Sequence, residues 1–310
     1  MTSDVLSQIF AAVKMRGTVY FHARFSPPWG IKVPRYKNVA RFHLAMRGAF
    51  WVRVDGETQP VHLNEGELIV IPHGTSHILS DSADRDAREL DWVLKETGYE
   101  GSGALVYGGP AREGCQVFCG HFEFAEDALH PMLDALPQYI YMPSAETLSS
   151  NWLQLVLDFV ASEKASSQPG ADAIMYRLTE IIFIQVIRSF VTRAGDAAGC
   201  LAALLDPQLS RVFSAVHTSP SRGWTVEMMA KEAGLSRTAF AQRFTQLVGM
   251  GPIHYLTQWR MRNAKQRVFS TEDPLVEIAE AAGYQSQAAF TRAFKRSFGT
   301  TPGQLRRSKS

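Results

Sequence analysis

MAKEAGLSRTAFAQRFTQLVGMGP (residues 229–252) is followed by IAEAAGYQSQAAFTRAFKRSFGTTP (residues 278–302), and the second stretch largely repeats the first. Ala230 aligns with Ala279 and Gly234 with Gly283. After one added residue, Phe240 aligns with Phe290, Phe244 with Phe294, Gly249 with Gly299 and Pro252 with Pro302. A period of roughly 50 residues marks a duplicated supersecondary unit.

Each copy reads as helix, tight turn, helix. In the first, Val226, Met229, Ala230 and Ala233 form an apolar stripe at helical spacing. Gly234 suits the left-handed position where a helix ends, and Ser236 can cap the next helix. Phe240, Phe244 and Leu247 then face a core, and Gly249 stops the helix. In the second copy Thr271 and Asp273-Pro274 open a helix carrying Ile278, Ala279 and Ala282. Gly283 turns the chain, Ser286 sits near the next cap, and Phe290, Phe294 and Phe298 repeat the core face. This is the helix-turn-helix plan, whose second helix enters the major groove. Between the copies, IHYLTQWRMRNAKQRVF (253–269) reads as one connecting helix. Leu256, Trp259, Met261, Ala264 and Val268 supply its apolar contacts; Arg260, Arg262, Lys265 and Arg267 supply charge for phosphate.

Charge separates the chain into the same halves. Its net charge of +2 hides 15 Lys and Arg against 7 Asp and Glu in residues 206–310, and 17 against 23 in residues 1–205. A basic third on an acidic remainder points to a polyanion-binding module attached to a body with another task. No run of about 18 apolar residues spans a membrane. The N-terminal stretch has Val5, Leu6, Ile9, Phe10 and Val13 at helical spacing beside Asp4 and Lys14, an amphipathic helix and not a signal peptide. Three cysteines, Cys115, Cys119 and Cys200, point to reduced thiols in a cytoplasm and not to a disulfide framework.

On these motifs, residues 206–310 resemble the DNA-binding domain of the AraC/XylS family of bacterial transcription regulators. WTVEMMAKEAGLSRTAFAQRF, GMGPIHYLTQWRMRNAKQ and IAEAAGYQSQAAFTRAFKRSFGTTPGQLR carry the resemblance. It implies two helix-turn-helices in adjacent major grooves on one side of double-stranded DNA. With the core phenylalanines set aside, the outward residues are the base-reading candidates: Arg237, Thr238, Gln242 and Thr245 in the first copy, and Gln285, Gln287, Thr291 and Arg292 in the second. Lys295, Arg260 and Arg262 are assigned to phosphate. The connecting helix spans roughly 25 Å and successive major-groove faces about 34 Å, so both copies bind only if the duplex bends or the second contact is loose.

Residues 17–125 hold short β runs separated by Gly, Pro, Asp and Asn, the pattern of a sandwich or barrel. GAFWVRVDGETQPVHLNEGELIVIPHGTSH (48–77) resembles the cupin family through its Gly-x5-Pro-x-Gly-x2-His. Residues 1–140 resemble the cupin-type sensor of one group of these regulators, including PPWG at 27–30 and CGHFEF at 119–124. Metal-binding cupins carry His-x-His-x3–4-Glu-x6-Gly in the preceding strand. With Gly48 as that glycine, Arg41 stands at the Glu position and PRYKN holds neither histidine. His43, His77, Cys119 and His121 remain as inward candidates, for an effector or for a mixed N/S site better suited to zinc than to catalytic iron. A hydrogen-bonded core histidine is the plainer reading of each. Trp29 or Trp51 would join His43 and His77 in lining a ligand cavity. Cys115 and Cys119, about 13 Å apart on one strand, are too distant for a disulfide.

Residues 146–167 and 171–194 read as two helices, the second apolar almost all round. Ile174, Leu178, Ile181, Ile182 and Phe190 are its candidate dimer seam. The expected plan is a two-domain α+β chain. A cupin-like barrel or sandwich (1–140) with a helical extension (141–193) leads through a linker (194–205) to an all-α double helix-turn-helix (206–310). The expected function is a homodimeric transcription regulator responding to a small molecule or oxidant. The resemblance favours activation over repression, and an activator would contact RNA polymerase. The rivals are a metal-dependent cupin enzyme fused to a DNA-binding domain and a thiol-based redox sensor at Cys119.

Overall fold

The computed structural model describes residues 7, 15–101, 103–110, 114–124, 136–144, 155–156, 159, 168–195 and 201–307. Nearly all of the expected N-terminal helix and of the helix expected over 146–167, and Cys200, lie outside these residues. The chain divides into two compact units, one containing Met15–Phe124 and Leu136–Arg193, the other containing Ala194–Ser310.

The first unit is built on two facing sheets. One has six strands in the order β11-β6-β3-β10-β1-β9, the other five in the order β5-β4-β7-β2-β8. The strands are β1 (Met15–Ser26), β2 (Gly30–Val33), β3 (Val39–Arg47), β4 (Phe50–Val54), β5 (Val61–Leu63) and β6 (Leu68–Ile71). They continue with β7 (His77–Ser80), β8 (Arg88–Glu89), β9 (Ala104–Gly108), β10 (Cys115–Phe124) and β11 (Ile140–Met142). Both sheets are mixed, because β9 pairs parallel with β1 and β8 parallel with β2, while the other pairings are antiparallel. The sheets do not close into a barrel; of the two expected forms, the sandwich is present.

β3 and β10 are buried along nearly their whole length, because both faces of their sheet are covered. Cys115, Val117 and Cys119 join the core between the sheets with Ala45, Ile69 and Ile71. Alternate residues face the opposite way, where the Phe183 ring of α2 (Ala171–Ala194) lies 4.7 Å from Phe122 and 5.6 Å from Phe124. Ile182, Val186, Ile187 and Val191 of α2 are buried as well. Ile182 therefore belongs to the unit's own core and leaves the candidate seam, whereas Ile174 and Ile181 remain 36% and 42% exposed. The sequence reading missed the short helix α1 (Leu90–Glu96), which buries only Leu90 and Val93.

The second unit is helical. α3 (Ala202–Leu205) and α4 (Leu209–Thr218) precede the first copy, α5 (Val226–Ala233) and α6 (Arg237–Val248). The connecting helix α7 (Pro252–Ser270) leads to the second copy, α8 (Leu275–Ala281) and α9 (Gln287–Phe298), and α10 (Pro302–Arg307) follows. Leu201, Ala203 and Leu204 are buried, so the end of the stretch expected as linker is packed structure. Thr225, Ser236 and Ser286 accept backbone N–H bonds at the starts of α5, α6 and α9. Val248, not Leu247, completes the buried face of α6, because Leu247 is only half-buried.

The two turn glycines differ in what surrounds them. Both have positive φ, +68° at Gly234 and +77° at Gly283. A Cβ at Gly234 would meet nothing within 4 Å, but one at Gly283 would lie 2.8 Å from Arg260 Cζ. That guanidinium is pinned: Nε donates to Pro220 O at 2.6 Å and Nη2 to Arg222 O at 2.8 Å. Gly234→Ala should cost about 1–2 kcal/mol of unfolding free energy from backbone strain alone. Gly283→Ala should cost more, because its methyl also displaces Arg260. Urea unfolding of the two variants checks this, and equal losses would contradict it.

Candidate nucleic-acid interface and sensor constellation

The interface candidates sit where the buried faces leave them. Phe240 and Phe244 anchor α6, and Phe290 and Phe294 anchor α9. Arg237, Thr238, Gln242 and Thr245 are exposed on α6; Gln287, Arg292 and Lys295 are exposed on α9, with Thr291 half-buried. Gln285 precedes the Ser286 cap, so it belongs to the turn and not to the helix. Arg237 Nε lies 2.7 Å from Glu227 Oε1, an exposed pairing that orients it along the start of α6. Arg262 is half-buried, and Arg260 already bonds two backbone carbonyls. Sequence reasoning also missed His217, half-buried on α4, whose ring stacks on Trp259 at 4.1 Å and bonds the Tyr255 hydroxyl at 2.7 Å.

The sensor candidates split three to one. His43 Nδ1 lies 3.1 Å from Cys119 Sγ, its strand-pair partner across β3 and β10. His43 Nε2 lies 2.8 Å from His77 Nε2, which comes from β7 of the facing sheet. His77 Nδ1 lies 2.8 Å from Thr75 O. The turn before β7 delivers this group: a Cβ at Gly74 (φ +58°) would lie 2.3 Å from Tyr36 O, so only glycine fits there. His121 stands apart, buried, with Nε2 at 2.8 Å from Glu123 Oε1.

The protons of this chain can be placed from one end. A carbonyl only accepts, so His77 Nδ1 carries a proton and its Nε2 is an acceptor. His43 Nε2 must then donate to it, which leaves His43 Nδ1 to accept the Cys119 S–H. Every member is neutral, and burial keeps it so. Desolvation lowers His43 well below the usual histidine value and lowers His77 to about 4, with the Arg41 charge adding to both. The same burial pushes the Cys119 thiol far up, and Cys115 up to about 12.

This geometry does not fit a metal. His43 presents opposite ring edges to Cys119 and His77, so the three donors do not converge on one point. Among the described residues no group of three or more His, Cys, Asp or Glu side chains is arranged to hold an ion. Of the two tryptophans expected at a cavity, Trp51 is half-buried and lies against His62 at 4.5 Å, whereas Trp29 is buried in the core between the sheets, 4.4 Å from Phe25.

A sandwich followed by two capped helix-turn-helices is the plan of a two-domain DNA-binding regulator. A family model described as Cupin matches residues 4–192, and one described as Helix-turn-helix domain matches residues 229–308. The chain is 30% identical over 306 residues to the HTH-type transcriptional regulator AlkR of Acinetobacter baylyi, covering 98% of this chain and 99% of that one. It is 28% identical over 307 residues to the RCS-specific HTH-type transcriptional activator RclR of Escherichia coli, covering 98% and 97%. It is also 27% identical to the DNA-binding domain of AdpA, solved in complex with a target DNA; the match covers 33% of this chain and 92% of that one, with a TM-score of 0.32. The chain belongs to the AraC-type transcriptional regulators that carry a cupin domain N-terminal to a helix-turn-helix domain.

The neutral histidines give the sensor unit a pH signature. Unfolded histidine takes up a proton near pH 6.5, while folded His77 resists until about 4. The unfolded state therefore binds more protons as pH falls, and stability present above pH 6.5 is lost on the way down to 4. For His77 alone the loss is about 3 kcal/mol. Urea unfolding should show a shallower decline across this window in His77→Phe than in the parent; identical slopes would contradict a buried neutral His77.

Proposed function

We propose that this regulator reads a specific DNA site through α6 and α9 and answers to a small molecule or oxidant through its sandwich. The observation that carries the reading is the matched pair of serine-capped helices, each anchored by two buried phenylalanines, on a domain with 15 basic and 7 acidic residues. Arg237 and Arg292 suit guanine by bidentate geometry, and Gln242 and Gln287 suit adenine. Lys295 and Arg262 serve phosphate, whereas Arg260 is held by Pro220 O and Arg222 O. The protein acts in the bacterial cytoplasm as an activator that contacts RNA polymerase, not as an enzyme. It works as a homodimer through the stripe Ile174, Leu178 and Ile181 of α2, of which Ile174 and Ile181 are exposed; Phe190 lies on the opposite face of the helix, that of the buried Phe183 and Val186, and leaves the seam. Sedimentation of an Ile174→Glu/Ile181→Glu double variant as a monomer, with the parent a dimer, would support that seam; an unchanged mass would remove it.

The test of DNA reading is direct. On a site selected from a random DNA pool, Arg237→Ala and Arg292→Ala should each weaken specific binding by about 1–3 kcal/mol and relax base preference at one position. Unchanged affinity and unchanged preference in both variants would sink the assignment of the reading faces.

A further inference from the structure

The two reading helices differ at most positions, and at one of them the side chain reaches beyond its own copy. By the phenylalanine register, Arg243 of α6 corresponds to Ala293 of α9. Ala293 is buried at 5% exposure and touches only core. Arg243 instead reaches out of its own copy to Asp206: Nε donates to Oδ2 at 3.0 Å, and Nη2 donates to the same oxygen.

Asp206 is a junction. Its side chain is 6% exposed, against 48% for that of Arg243. Oδ1 accepts the backbone N–H groups of Gln208 and Leu209, each at 2.9 Å, which caps the start of α4. Its own N–H donates to Ala202 O at 3.1 Å, and its carbonyl accepts from Ser210 N at 2.8 Å. The backbone of Asp206 thus joins Ala202 to Ser210, while its carboxylate holds the start of α4 and Arg243. The segment is also held by burial, with Leu201 2%, Ala203 0% and Leu204 7% exposed. Loss of Arg243 would leave a buried carboxylate short of its countercharge, a costlier outcome than loss of an exposed pair. The second copy has no counterpart. Its connecting helix α7 begins at Gly251-Pro252, with no side-chain cap.

We propose that Asp206 and Arg243 are a positioning pair: they seat the first reading helix on residues 201–206, the segment by which the chain enters the DNA-binding domain. The proposal rests on the DNA-binding reading given above. It makes the two copies unequal. The grip of α6 depends on how the entering segment is held, and that of α9 does not. A displacement of the chain ahead of residue 201 acts on the first half of the DNA site and spares the second.

The experiment uses the full-length protein, the parent's selected DNA site, and Asp206→Asn, Arg243→Gln, Arg243→Lys and the Asp206→Asn/Arg243→Gln double variant. Arg237→Ala and Arg292→Ala footprints assign the two halves of the site. Asp206→Asn and Arg243→Gln should each weaken binding about tenfold or more. The double variant should be no worse than either single, as for two members of one pair. Hydroxyl-radical protection should fade over the α6 half alone, the salt dependence should keep its slope, and Arg243→Lys should recover part of the loss. Three results would overturn the pair. Tight binding by Asp206→Asn, with a salt slope lowered by about 1 in Arg243→Gln, would make Arg243 a phosphate contact. Fading of both halves with earlier thermal unfolding would make the pair a general stability contact. Parental footprints in all variants would give it no part in binding. If the parent itself selects no site, the DNA-reading proposal fails, and that failure is visible before any variant is made.

Discussion

Each reading helix depends on two phenylalanines one turn apart. Phe240 and Phe244 lie 5.5 Å apart by ring centroid, and so do Phe290 and Phe294. All four are essentially inaccessible to water. Burying such a side chain is worth about 1.5–3 kcal/mol, more than any surface contact on these helices. It also fixes rotation. With i and i+4 inward, residues 238, 242 and 245 of α6, and 292 and 295 of α9, face outward. The interface is the complement of the core.

In the sandwich the same economy of buried polar groups explains what replaces a metal. A cupin metal site needs donors that converge. This chain has Arg41 where the glutamate would stand, and a cation there opposes a second cation beside it. The buried donors that remain satisfy one another in series, from the Cys119 thiol through both imidazoles to the Thr75 carbonyl. A neutral chain of this kind links β10 and β3 of one sheet to β7 of the other without burying charge.

Much of this was legible in the sequence because duplication and glycine placement are strong local signals. The capped helices, the connecting helix and most of the β runs follow from them. The sequence put His43, His77, Cys119 and His121 forward together as inward candidates, but an inward direction does not give depth. His121 shares the parity of Cys119, yet pairs with Glu123 one level away. The hydrogen-bonded chain was illegible because Thr75 contributes a backbone carbonyl, which any residue has. The choice between barrel and sandwich turns on long-range pairings such as β2 with β8, a strand of two residues. The roles of Arg260 and Asp206 were hidden for another reason. A charged residue on a basic domain reads as a surface group until the structure shows its partners. The one sequence signal for Arg243 was its mismatch with Ala293 in the second copy.

The central claim is that the duplicated unit reads two successive stretches of one duplex. Hydroxyl-radical footprinting of the full-length protein on its own selected site tests it most directly. The account predicts two protected patches about one helical turn apart on one face of the DNA. A single patch, or protection with no sequence preference, would contradict it.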